Sequence, residues 1–286
     1  MSAVPKVSVL LPTHRRTETL RLAIDSVLSQ TFPDFELLVV LDGAGAETRA
    51  VMDRFSDPRI RVHDLPKAPG NGHANRQTAL DEARGSVVAY QQDDDIWFPD
   101  HLERLVALFR NESVLWAHAR SFWVTADGLM LPNFANAAHG TARRQIRRDF
   151  NMIASSMVAH RTDALRRAGG WAPSGEPGED WRLWQRMFDL PAPNRARCAR
   201  APSVFHFRSD MGSPGRWPRF LGGLHALSHS GNLPSALRLE DDRDPRIVVA
   251  ERLASEGPRF AAMVRSAFDR IQDDIAWAWG SDPLLR

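Results

Sequence analysis

The chain has 286 residues, of which 43% are hydrophobic and 25% are charged, and its formal net charge is +2. This composition excludes a disordered chain and predicts a globular protein with one large domain, or one domain with an appended lobe. The small net charge argues against nucleic acid as a partner, because proteins that bind nucleic acid carry a basic patch or stripe.

The first part of the chain alternates strands with helices. Apolar runs predict four strands, at residues 7–11, 36–41, 60–63 and 87–91. Helical spacing of apolar residues predicts three helices between them, at residues 17–30, 46–55 and 73–83. We expect Pro12 to stop the first strand and Gly85 to close the third helix. The alternation predicts a parallel sheet with right-handed crossovers.

The pattern becomes mixed further along the chain. Helices are predicted at residues 99–110, 162–168 and 179–190, and strands at residues 114–119, 122–125, 155–160 and 203–207. Asp127-Gly128 predicts a hairpin turn, and Gly169-Gly170 ends a helix. Beyond about Gly212 the chain is predicted to be helical and rich in loops. A final amphipathic helix would bury one face, made of Phe260, Met263, Val264, Ala267, Phe268, Ile271 and Ile275.

Three consecutive aspartates, Asp93-Asp94-Asp95, directly follow the fourth strand, and Asp42 ends the second. Parallel strands place their carboxyl ends at one edge of a sheet, which is where open α/β folds bind ligands. Clustered carboxylates repel one another, and ligation by oxygen alone suits Mg²⁺ or Mn²⁺. The alternative for the triplet is a solvated acidic loop in which Asp95 or Asp100 caps the next helix.

These features together resemble the family-2 inverting glycosyltransferases of the GT-A fold, over roughly residues 5–208. The motifs that carry the resemblance are, in chain order, Val7 to Thr13 followed by a helix, Asp42-Gly43, Arg76 on the helix before Gly85, Asp93-Asp94 before Ile96-Trp97-Phe98-Pro99-Asp100-His101-Leu102-Glu103, and Gly178-Glu179-Asp180-Trp181-Arg182-Leu183-Trp184.

The resemblance implies an α/β fold of GT-A type in a single domain, with a mostly parallel central sheet flanked by helices. Residues 1–210 would form this domain, with a Rossmann-like nucleotide-sugar-binding half at 5–110 and a mixed acceptor half at 111–210. A helical C-terminal extension would follow at 211–286.

The resemblance also implies a reaction and roles for residues at its site. Asp180 would be the general base, and Asp94 would hold Mn²⁺ or Mg²⁺, with His206 as a further metal ligand. Asp93 would face the donor ribose or the metal shell, and Asp95 would brace the turn. Asp42 would contact the nucleotide base, and Arg76 would contact the nucleotide or its phosphates. The base would also pack on the backbone at Pro12 and Thr13.

Each of these residues has a structural alternative. Glu179 and Asp180 could merely favour the N-terminal end of a helix dipole. Asp42 could belong to a simple Asp-Gly turn, and Arg76 could be a solvated helix arginine. His206 could be a core histidine with its hydrogen bonds satisfied.

The chain departs from the usual pattern of the family at several positions on the nucleotide side. Leu41 and Gln92 stand where family members often carry acids, Asn75-Arg76-Gln77 replaces Ala-Arg-Asn, and Ala79 replaces a frequent glycine. These departures leave the donor identity open, and they motivate one alternative: a non-catalytic module that binds a nucleotide-sugar on a degenerate glycosyltransferase scaffold.

Two other enzyme classes are alternatives to the glycosyltransferase. A dinucleotide-binding oxidoreductase needs a glycine fingerprint after the first strand, and this chain has Pro12-Thr13-His14-Arg15-Arg16 there. A sugar-phosphate nucleotidyltransferase remains an alternative, although residues 11–17 contain no glycine. The resemblance to family-2 glycosyltransferases implies the substrates: a UDP-sugar and a hydroxyl of a saccharide, glycolipid or glycoconjugate, in the assembly of surface polysaccharide.

Location and partners are predicted from weaker signals. The single cysteine, Cys198, cannot form an intramolecular disulfide, which fits a reducing compartment. The first apolar run is too short for a signal peptide, and no run approaches the roughly 18 apolar residues of a membrane span. We therefore expect a cytoplasmic protein, with peripheral membrane contact from that side left open.

Two clusters of residues, one of arginines and one of tryptophans, each have a functional and a structural interpretation. Arginines at 143, 144, 147 and 148 could meet an anionic lipid phosphate or a membrane surface, or could be a solvated basic helix. Trp217, Trp277 and Trp279 could stack on sugars, or could serve core packing or a homodimer contact.

Overall fold

The computed structural model describes residues 4–148, 151–171, 178–193, 195–207 and 233–279. The expected domain boundary at residue 210 and the tryptophan at 217 lie outside these ranges, as do the side chains of Arg148, Ile275, Trp277 and Trp279. Within the described ranges, no helix is long and apolar enough to cross a membrane.

The N-terminal half is the predicted parallel α/β unit. Its strands are β1 (Val7–Thr13), β2 (Phe35–Asp42), β3 (Ile60–Leu65) and β4 (Val87–Tyr90). Helices α1 (Glu18–Leu28), α2 (Ala46–Met52) and α3 (His73–Asp81) connect them. The strands lie in the order β3-β2-β1-β4, all parallel, so β2 and β4 flank β1 and end at the same edge. Every residue of β1, β2 and β4 is buried, which matches their nearly continuous apolar sequences.

Pro12 does not end β1, contrary to expectation. The ladder to β2 continues through Pro12 and Thr13, whereas the ladder to β4 stops at Leu10 and Tyr90. The carbonyl of Leu10 accepts from Gln91 on the β4 side. Pro12, two residues later, points its ring nitrogen to that same side, beyond the end of β4. The missing N–H therefore removes no ladder hydrogen bond.

The second half adds a mixed set of strands to the same sheet. Its strands are β5 (Ile96–Trp97), β6 (Val114–Val124), β7 (Met130–Asn133), β8 (Val158–Arg161) and β9 (Arg195–Phe207). Its helices are α4 (His101–Leu108), α5 (Gly140–Arg148), α6 (Thr162–Arg167) and α7 (Glu179–Phe188). The sheet continues from β4 in the order β8-β6-β9-β5, with β7 paired to β6. The parallel first half and mixed second half confirm the predicted GT-A architecture.

Four predicted strands differ from the structure. The two strands expected at 114–119 and 122–125 form one strand, β6, because Arg120 between them is buried rather than in a turn. Its guanidinium donates to Gln272 at 2.8 Å and lies over the Phe268 ring. β9 begins at Arg195 instead of residue 203, since its arginines alternate with buried residues. Residues Ser155–Met157 form a 3₁₀ helix that precedes β8.

The C-terminal helices share the core of the sheet. Helices α8 (Pro245–Glu256) and α9 (Pro258–Trp279) follow a 3₁₀ turn, and the predicted apolar face of α9 is buried where its side chains are described, with Met263 only partly buried. Phe260 stacks on Phe205 of β9 with ring centroids 5.9 Å apart, and Phe268 contacts Phe134 at 4.5 Å. These aromatic contacts make α9 part of the main hydrophobic core.

A polar clamp reinforces this attachment. Arg265 of α9 donates two hydrogen bonds to Asp100, at 2.9 and 2.7 Å, and its Nε donates to the carbonyl of Pro202 at 2.9 Å. Its guanidinium also lies 4.9 Å from the Phe98 ring centroid. Both members of the ion pair are largely shielded from water, so the pair is screened less than a surface pair.

We expect Arg265→Met to lower the free energy of unfolding by about 2 kcal/mol, because it leaves Asp100 with one fewer cation and Pro202 without its donor. The matched control is Arg21→Met, which breaks an exposed pair with Asp25 one turn away on the same helix and should change stability by less than about 0.5 kcal/mol. Urea unfolding measures both. Equal losses in the two variants would show that the clamp contributes no more than a surface pair.

Candidate active site

A cleft of about 650 Å³ opens at the carboxyl edge of the parallel strands. It is lined by the ends of β1 and β2, the residues after β4, the start of α3 and the start of α7. All the site residues predicted from the sequence line this one cleft: Pro12, Thr13, Asp42, Arg76, Asp93, Asp94, Asp180 and His206. The structure thus brings them together, although their individual roles stay predictions.

The first two aspartates of the triplet face the cleft and share a cation. Asp93 accepts from Thr13 Oγ1 at 2.7 Å and lies 3.4 Å from Arg16 Nε. Asp94 lies 3.0 Å from Arg16 Nη2. Burial raises the pKa of both carboxyls. The pKa of Asp94 reaches about 6 because burial is joined by repulsion from Asp95, against the lowering effect of Arg16.

The third aspartate is a structural anchor, as expected. Asp95 is fully buried and accepts from Ser156 Oγ at 2.5 Å and from the backbone N–H of Phe207 at 3.1 Å. His206 Nδ1 donates to the same carboxylate at 2.9 Å. These bonds fix the end of β9 beside the triplet. They also commit one ring nitrogen of His206, so any metal ligation by this residue would use Nε2.

Asp42 is held by three protein donors on the nucleotide side of the cleft. Its Oδ1 accepts from the N–H of Ala68 at 2.8 Å and from Asn75 Nδ2 at 2.6 Å. Its Oδ2 pairs with Lys67 Nζ at 2.8 Å. These donors outweigh the effect of burial and hold the pKa of Asp42 below its ordinary value. A side chain at Gly72 would place its Cβ 2.3 Å from Oδ2, so only glycine fits there.

Arg76 is a partly buried cation between the two groups of acids. Its Nη1 donates to His73 Nδ1 at 3.0 Å and to the carbonyl of Asn71. His73 therefore accepts as a neutral ring, in agreement with a pKa lowered to about 4 by burial and by the adjacent Arg76. Burial lowers the pKa of Arg76, while Asp180, Asp42 and Asp93 act in the opposite direction. The guanidinium is thus positioned to bind an anion inside the cleft.

Trp171 supports Arg76 from the second half of the domain. Its ring centroid lies 5.4 Å from the guanidinium and 5.5 Å from the His73 ring, which is nearly parallel to it. Its Nε1 donates to Tyr90 Oη at 3.1 Å. Tyr90 donates in turn to His160 Nε2 at 2.6 Å, since His160 Nδ1 donates to a backbone carbonyl. This chain ties the Trp171 loop to the strand that precedes the aspartates.

Asp180 lines the same cleft from a separate element, at the start of α7. Gly178 precedes the helix in the left-handed conformation, with φ of 80°, which glycine adopts without strain. Asp180 Oδ1 accepts from the N–H of Trp181 at 2.7 Å, and Oδ2 accepts from Ser155 Oγ at 3.2 Å. Burial raises the pKa of Asp180 despite these bonds and the nearby Arg76. A carboxylate with a raised pKa is a stronger proton acceptor.

The acids of the cleft fit a divalent cation that is bound jointly with a substrate. Within the described residues, no three carboxylate, imidazole or thiol groups form a preformed cage. Mg²⁺ and its analogues, however, are often held by one or two carboxylates together with substrate phosphates. Asp94 offers such a carboxylate, and its raised pKa shows that negative charge there lacks full compensation. The donor set fits, although it is incomplete without a phosphate ligand.

Several residues that contact the predicted site residues were missed by the sequence analysis. Arg16, Lys67 and Asn75 all contact predicted acids, Ser155 donates to Asp180, and Trp171 lies against Arg76. Only Arg16 carried a usable signal, since it lies in a basic loop directly after the first strand. Lys67 lies in the connection between β3 and α3, and Asn75 lies in the first turn of α3; the path of that connection, which a sequence pattern does not show, brings both to Asp42.

The basic helix has a structural role at least in part. Arg147 of α5 forms an ion pair with Asp189, and its carbonyl accepts from Gln185 Nε2 at 2.9 Å. Trp181 Nε1 donates to the carbonyl of Ile146. α5 therefore packs on α7 beside the cleft. Nothing in the described residues shows a membrane or a dimer contact at this helix.

The structure shows an α/β protein with a cleft at the carboxyl edge of its parallel strands, and the family follows from sequence comparison. Glycosyl transferase family 2 matches residues 8–167, which is more than half of the chain. The chain therefore belongs to glycosyl transferase family 2, a family of transferase enzymes. The matched range includes the donor side of the cleft and ends before Asp180 and His206.

Curated relatives match over shorter stretches. The chain is 35% identical over 108 residues to the Escherichia coli UDP-Glc:alpha-D-GlcNAc-diphosphoundecaprenol beta-1,3-glucosyltransferase WfgD, a match that covers 38% of this chain and 42% of that protein. It is 30% identical over 135 residues to the putative teichuronic acid biosynthesis glycosyltransferase TuaG of Bacillus subtilis, covering 46% of this chain and 53% of TuaG. The chain thus spans about half the length of these relatives.

Solved structures share the fold over nearly the whole chain. The crystal structure of S. aureus TarS 1–349 superposes with a TM-score of 0.59 at 16% identity, covering 94% of this chain and 92% of TarS 1–349. The mannosyltransferase PcManGT from Pyrobaculum calidifontis, in complex with GDP-Man and Mn²⁺, gives 0.53 at 18% identity, covering 99% and 78%. At these identities the comparison shows the GT-A fold alone.

Neighbouring aspartates of the triplet should respond to substitution with opposite signs. Asp95→Asn places an amide NH₂ against buried donors, and we expect the free energy of unfolding to fall by about 2–4 kcal/mol. Asp94→Asn removes a charge whose folded pKa lies above its unfolded value, so at pH 8 its ionisation costs stability, and the variant should be as stable as the wild type or more so.

Urea unfolding of the metal-free protein at pH 8 compares the two variants with the wild type. The assignment of Asp95 as the anchor is wrong if Asp95→Asn unfolds at the same urea concentration as Asp94→Asn.

Proposed function

We propose that the protein is a metal-dependent inverting glycosyltransferase that moves a sugar from a nucleoside-diphosphate sugar to a hydroxyl group of an acceptor. One observation carries this proposal. A single cleft is lined by acids from two separate elements, Asp93 and Asp94 after β4 and Asp180 on α7, together with the cation Arg76, whose charge interacts with both Asp93 and Asp180. A displacement at a sugar carbon needs this arrangement, because the leaving diphosphate and the incoming hydroxyl lie on opposite faces.

The donor binds along the carboxyl edge of the parallel strands. Arg76 meets the diphosphate, since its guanidinium is desolvated and bears on the cleft. Asp93 faces the ribose, and the nucleotide base packs near Pro12, Thr13 and Asp42. The pair between Asp42 and Lys67 is the contact that can open for the base, because Lys67 is 39% exposed while the other two donors to Asp42 belong to the protein framework.

UDP is the proposed nucleotide. TarS 1–349 has been crystallised with UDP and with UDP-GlcNAc, and WfgD is named as an enzyme that uses UDP-Glc. PcManGT binds GDP-Man, so a GDP-sugar is the donor to test beside it. The departures Leu41 and Gln92 lie on this side of the cleft, where they would affect the choice of donor rather than the reaction type.

Asp94 would hold the divalent cation, with His206 as a second protein ligand through Nε2. When bound, Mn²⁺ or Mg²⁺ supplies a Lewis acid that stabilises negative charge on the leaving diphosphate. Asp95 positions His206 for this role, because its carboxylate accepts from Nδ1 and so fixes the ring and its tautomer. Mn²⁺ in the PcManGT structure supports the metal in a protein of this fold.

Asp180 removes the proton from the acceptor hydroxyl. The hydroxyl oxygen forms a bond to the anomeric carbon while the bond from that carbon to the diphosphate oxygen breaks, with its electron pair going to the diphosphate. The proton goes to the carboxylate of Asp180, and the configuration at the anomeric carbon inverts. Ser155 and the N–H of Trp181 hold the carboxylate in place, and burial keeps it basic enough for the transfer.

The acceptor class is proposed from the relatives and the cleft. Proteins from Escherichia coli and Campylobacter jejuni that match this chain are named for undecaprenol-diphosphate-linked acceptors. A lipid-linked saccharide in the assembly of a surface polysaccharide is therefore the acceptor class to test first, at the cytoplasmic face of a membrane. Helix α5, whose sequence carries arginines at 143, 144, 147 and 148, packs on α7 close to Asp180, and this helix is the proposed binding surface for a lipid phosphate.

The test of this function is release of nucleoside diphosphate. The protein is incubated with Mn²⁺, a panel of UDP- and GDP-sugars and lipid-diphosphate saccharide acceptors. We expect UDP release that depends on both metal and acceptor. Pyrophosphate formation from a nucleoside triphosphate and a sugar phosphate would identify a nucleotidyltransferase instead. Binding of a nucleotide-sugar without turnover across the acceptor panel would identify a non-catalytic module.

Asp180→Asn should separate catalysis from stability. We expect kcat to fall about 10²- to 10⁴-fold with little change in UDP affinity, because only proton removal is lost. At pH 8 the variant should unfold at a higher temperature than the wild type, since the folded pKa of Asp180 is raised and its ionisation costs stability above that pKa.

The matched control is Asp163→Asn on exposed α6, which should change neither quantity. Turnover by Asp180→Asn at the wild-type rate, measured as UDP release, would remove Asp180 from the role of base.

The rate should also depend on pH through Asp180. The base works only when ionised, and burial raises its pKa, so kcat/KM should decline on the acid side with an apparent pKa above the roughly 3.9 of an ordinary aspartate. The residual rate of Asp180→Asn should lack this decline. A wild-type acid limb that persists unchanged in the variant would assign the titration to another group.

A further inference from the structure

We propose that Arg16 is a built-in counter-ion for the metal-binding aspartates, and that a divalent cation must displace it in order to bind. Arg16 would thereby set the metal affinity of the free protein. The inference rests on the proposed role of Asp94 as metal ligand. It concerns a residue that neither the motifs nor the cleft lining singled out.

The geometry shows one cation shared by two carboxylates. Arg16 Nη2 lies 3.0 Å from Asp94 Oδ2, and its Nε lies 3.4 Å from Asp93 Oδ1. The guanidinium therefore bridges the two aspartates that face the cleft, through the kind of oxygen atoms that a divalent cation would bind. A metal at Asp94 and Arg16 in its present position would compete for the same negative charge.

The aspartates depend on this cation because their other partners are neutral or distant. Asp93 accepts from the neutral hydroxyl of Thr13. The carboxylate of Asp95 accepts from His206 and from the N–H of Phe207 on β9. Asp94 is repelled by both neighbouring aspartates and attracted by Arg16. In the free protein Arg16 thus offsets repulsion within a triplet that is otherwise held together by the backbone.

The position of Arg16 also allows its side chain to move away from the aspartates. It belongs to the short connection between the end of β1 at Thr13 and the start of α1 at Glu18, and its side chain is 47% exposed. A half-exposed arginine can turn into water without opening the core. Neighbouring Arg15 carries the same charge in the same connection and is exposed, but forms no ion pair with the triplet among the described contacts.

This arrangement couples metal binding to donor binding. If Arg16 stayed in place, a divalent cation about 5 Å from its guanidinium would be repelled strongly enough, even in water, to bind roughly tenfold more weakly, so the guanidinium must move for the metal to bind tightly. A donor diphosphate would bring negative charge that attracts the metal and the displaced Arg16 alike. The metal should therefore bind weakly to the free protein and more tightly together with the nucleotide.

The test is a Mn²⁺ titration of the full chain without nucleotide, followed by electron paramagnetic resonance of free Mn²⁺. The variants are Arg16→Gln and, as matched control, Arg15→Gln, at an ionic strength of about 0.15 M, where distant charges are screened. We expect Arg16→Gln to bind Mn²⁺ about tenfold more tightly than the wild type, and Arg15→Gln to stay within about twofold of it.

The two proposals fail in different ways. If all three proteins bind Mn²⁺ with the same affinity, or Arg16→Gln binds it more weakly, Arg16 is not a displaced counter-ion, while the metal site stands. An equal gain in Arg15→Gln would also overturn the inference, because the effect would then be one of net charge alone. If none of them binds Mn²⁺ with or without UDP, the metal site fails and the inference fails with it.

Discussion

The main physical constraint on this structure is that several carboxylates must be held close together in one cleft. Parallel strands bring Asp42 and the aspartate triplet to the same edge of the sheet, where burial and mutual repulsion both disfavour their charge. Each acid is stabilised by a different local partner: Lys67 for Asp42, Arg16 for Asp93 and Asp94, and a set of hydrogen bonds for Asp95. Asp42 and Asp95 each accept from several protein donors, whereas Asp93 and Asp94 share Arg16, which fits their proposed position near a divalent cation.

The two halves of the domain meet at this cleft through polar and aromatic contacts as well as the continuous sheet. Trp171 lies against Arg76 on the donor side and bonds through Tyr90 to His160. Asp95 joins the end of β4 to β9 through His206 and Phe207. These contacts join residues proposed to bind the donor to strands of both halves of the sheet.

The sequence predicted the parallel half of the fold from apolar runs and helical spacing, and it predicted Asp42 and the aspartate triplet at strand ends. The other predicted residues of the cleft, such as Arg76, Asp180 and His206, were implied by the resemblance to the family. Prediction from the sequence failed where a buried charge interrupts a strand, since Arg120 inside β6 looks like a turn until its contacts with Gln272 and Phe268 are seen. It also failed at Pro12, whose tolerance depends on where the neighbouring strand ends. Lys67, Asn75 and Trp171 were missed because long-range packing, rather than spacing, brings them to the acids.

The central claim is that the donor diphosphate lies between Arg76 and Asp94 with the sugar turned toward Asp180. A crystal structure with Mn²⁺ and a non-hydrolysable UDP-sugar tests it most directly. We predict the metal on Asp94, the diphosphate within hydrogen-bonding distance of Arg76, and the Asp180 carboxylate on the face of the anomeric carbon opposite the diphosphate. A diphosphate bound away from Arg76, or a sugar whose open face points away from Asp180, would contradict the account.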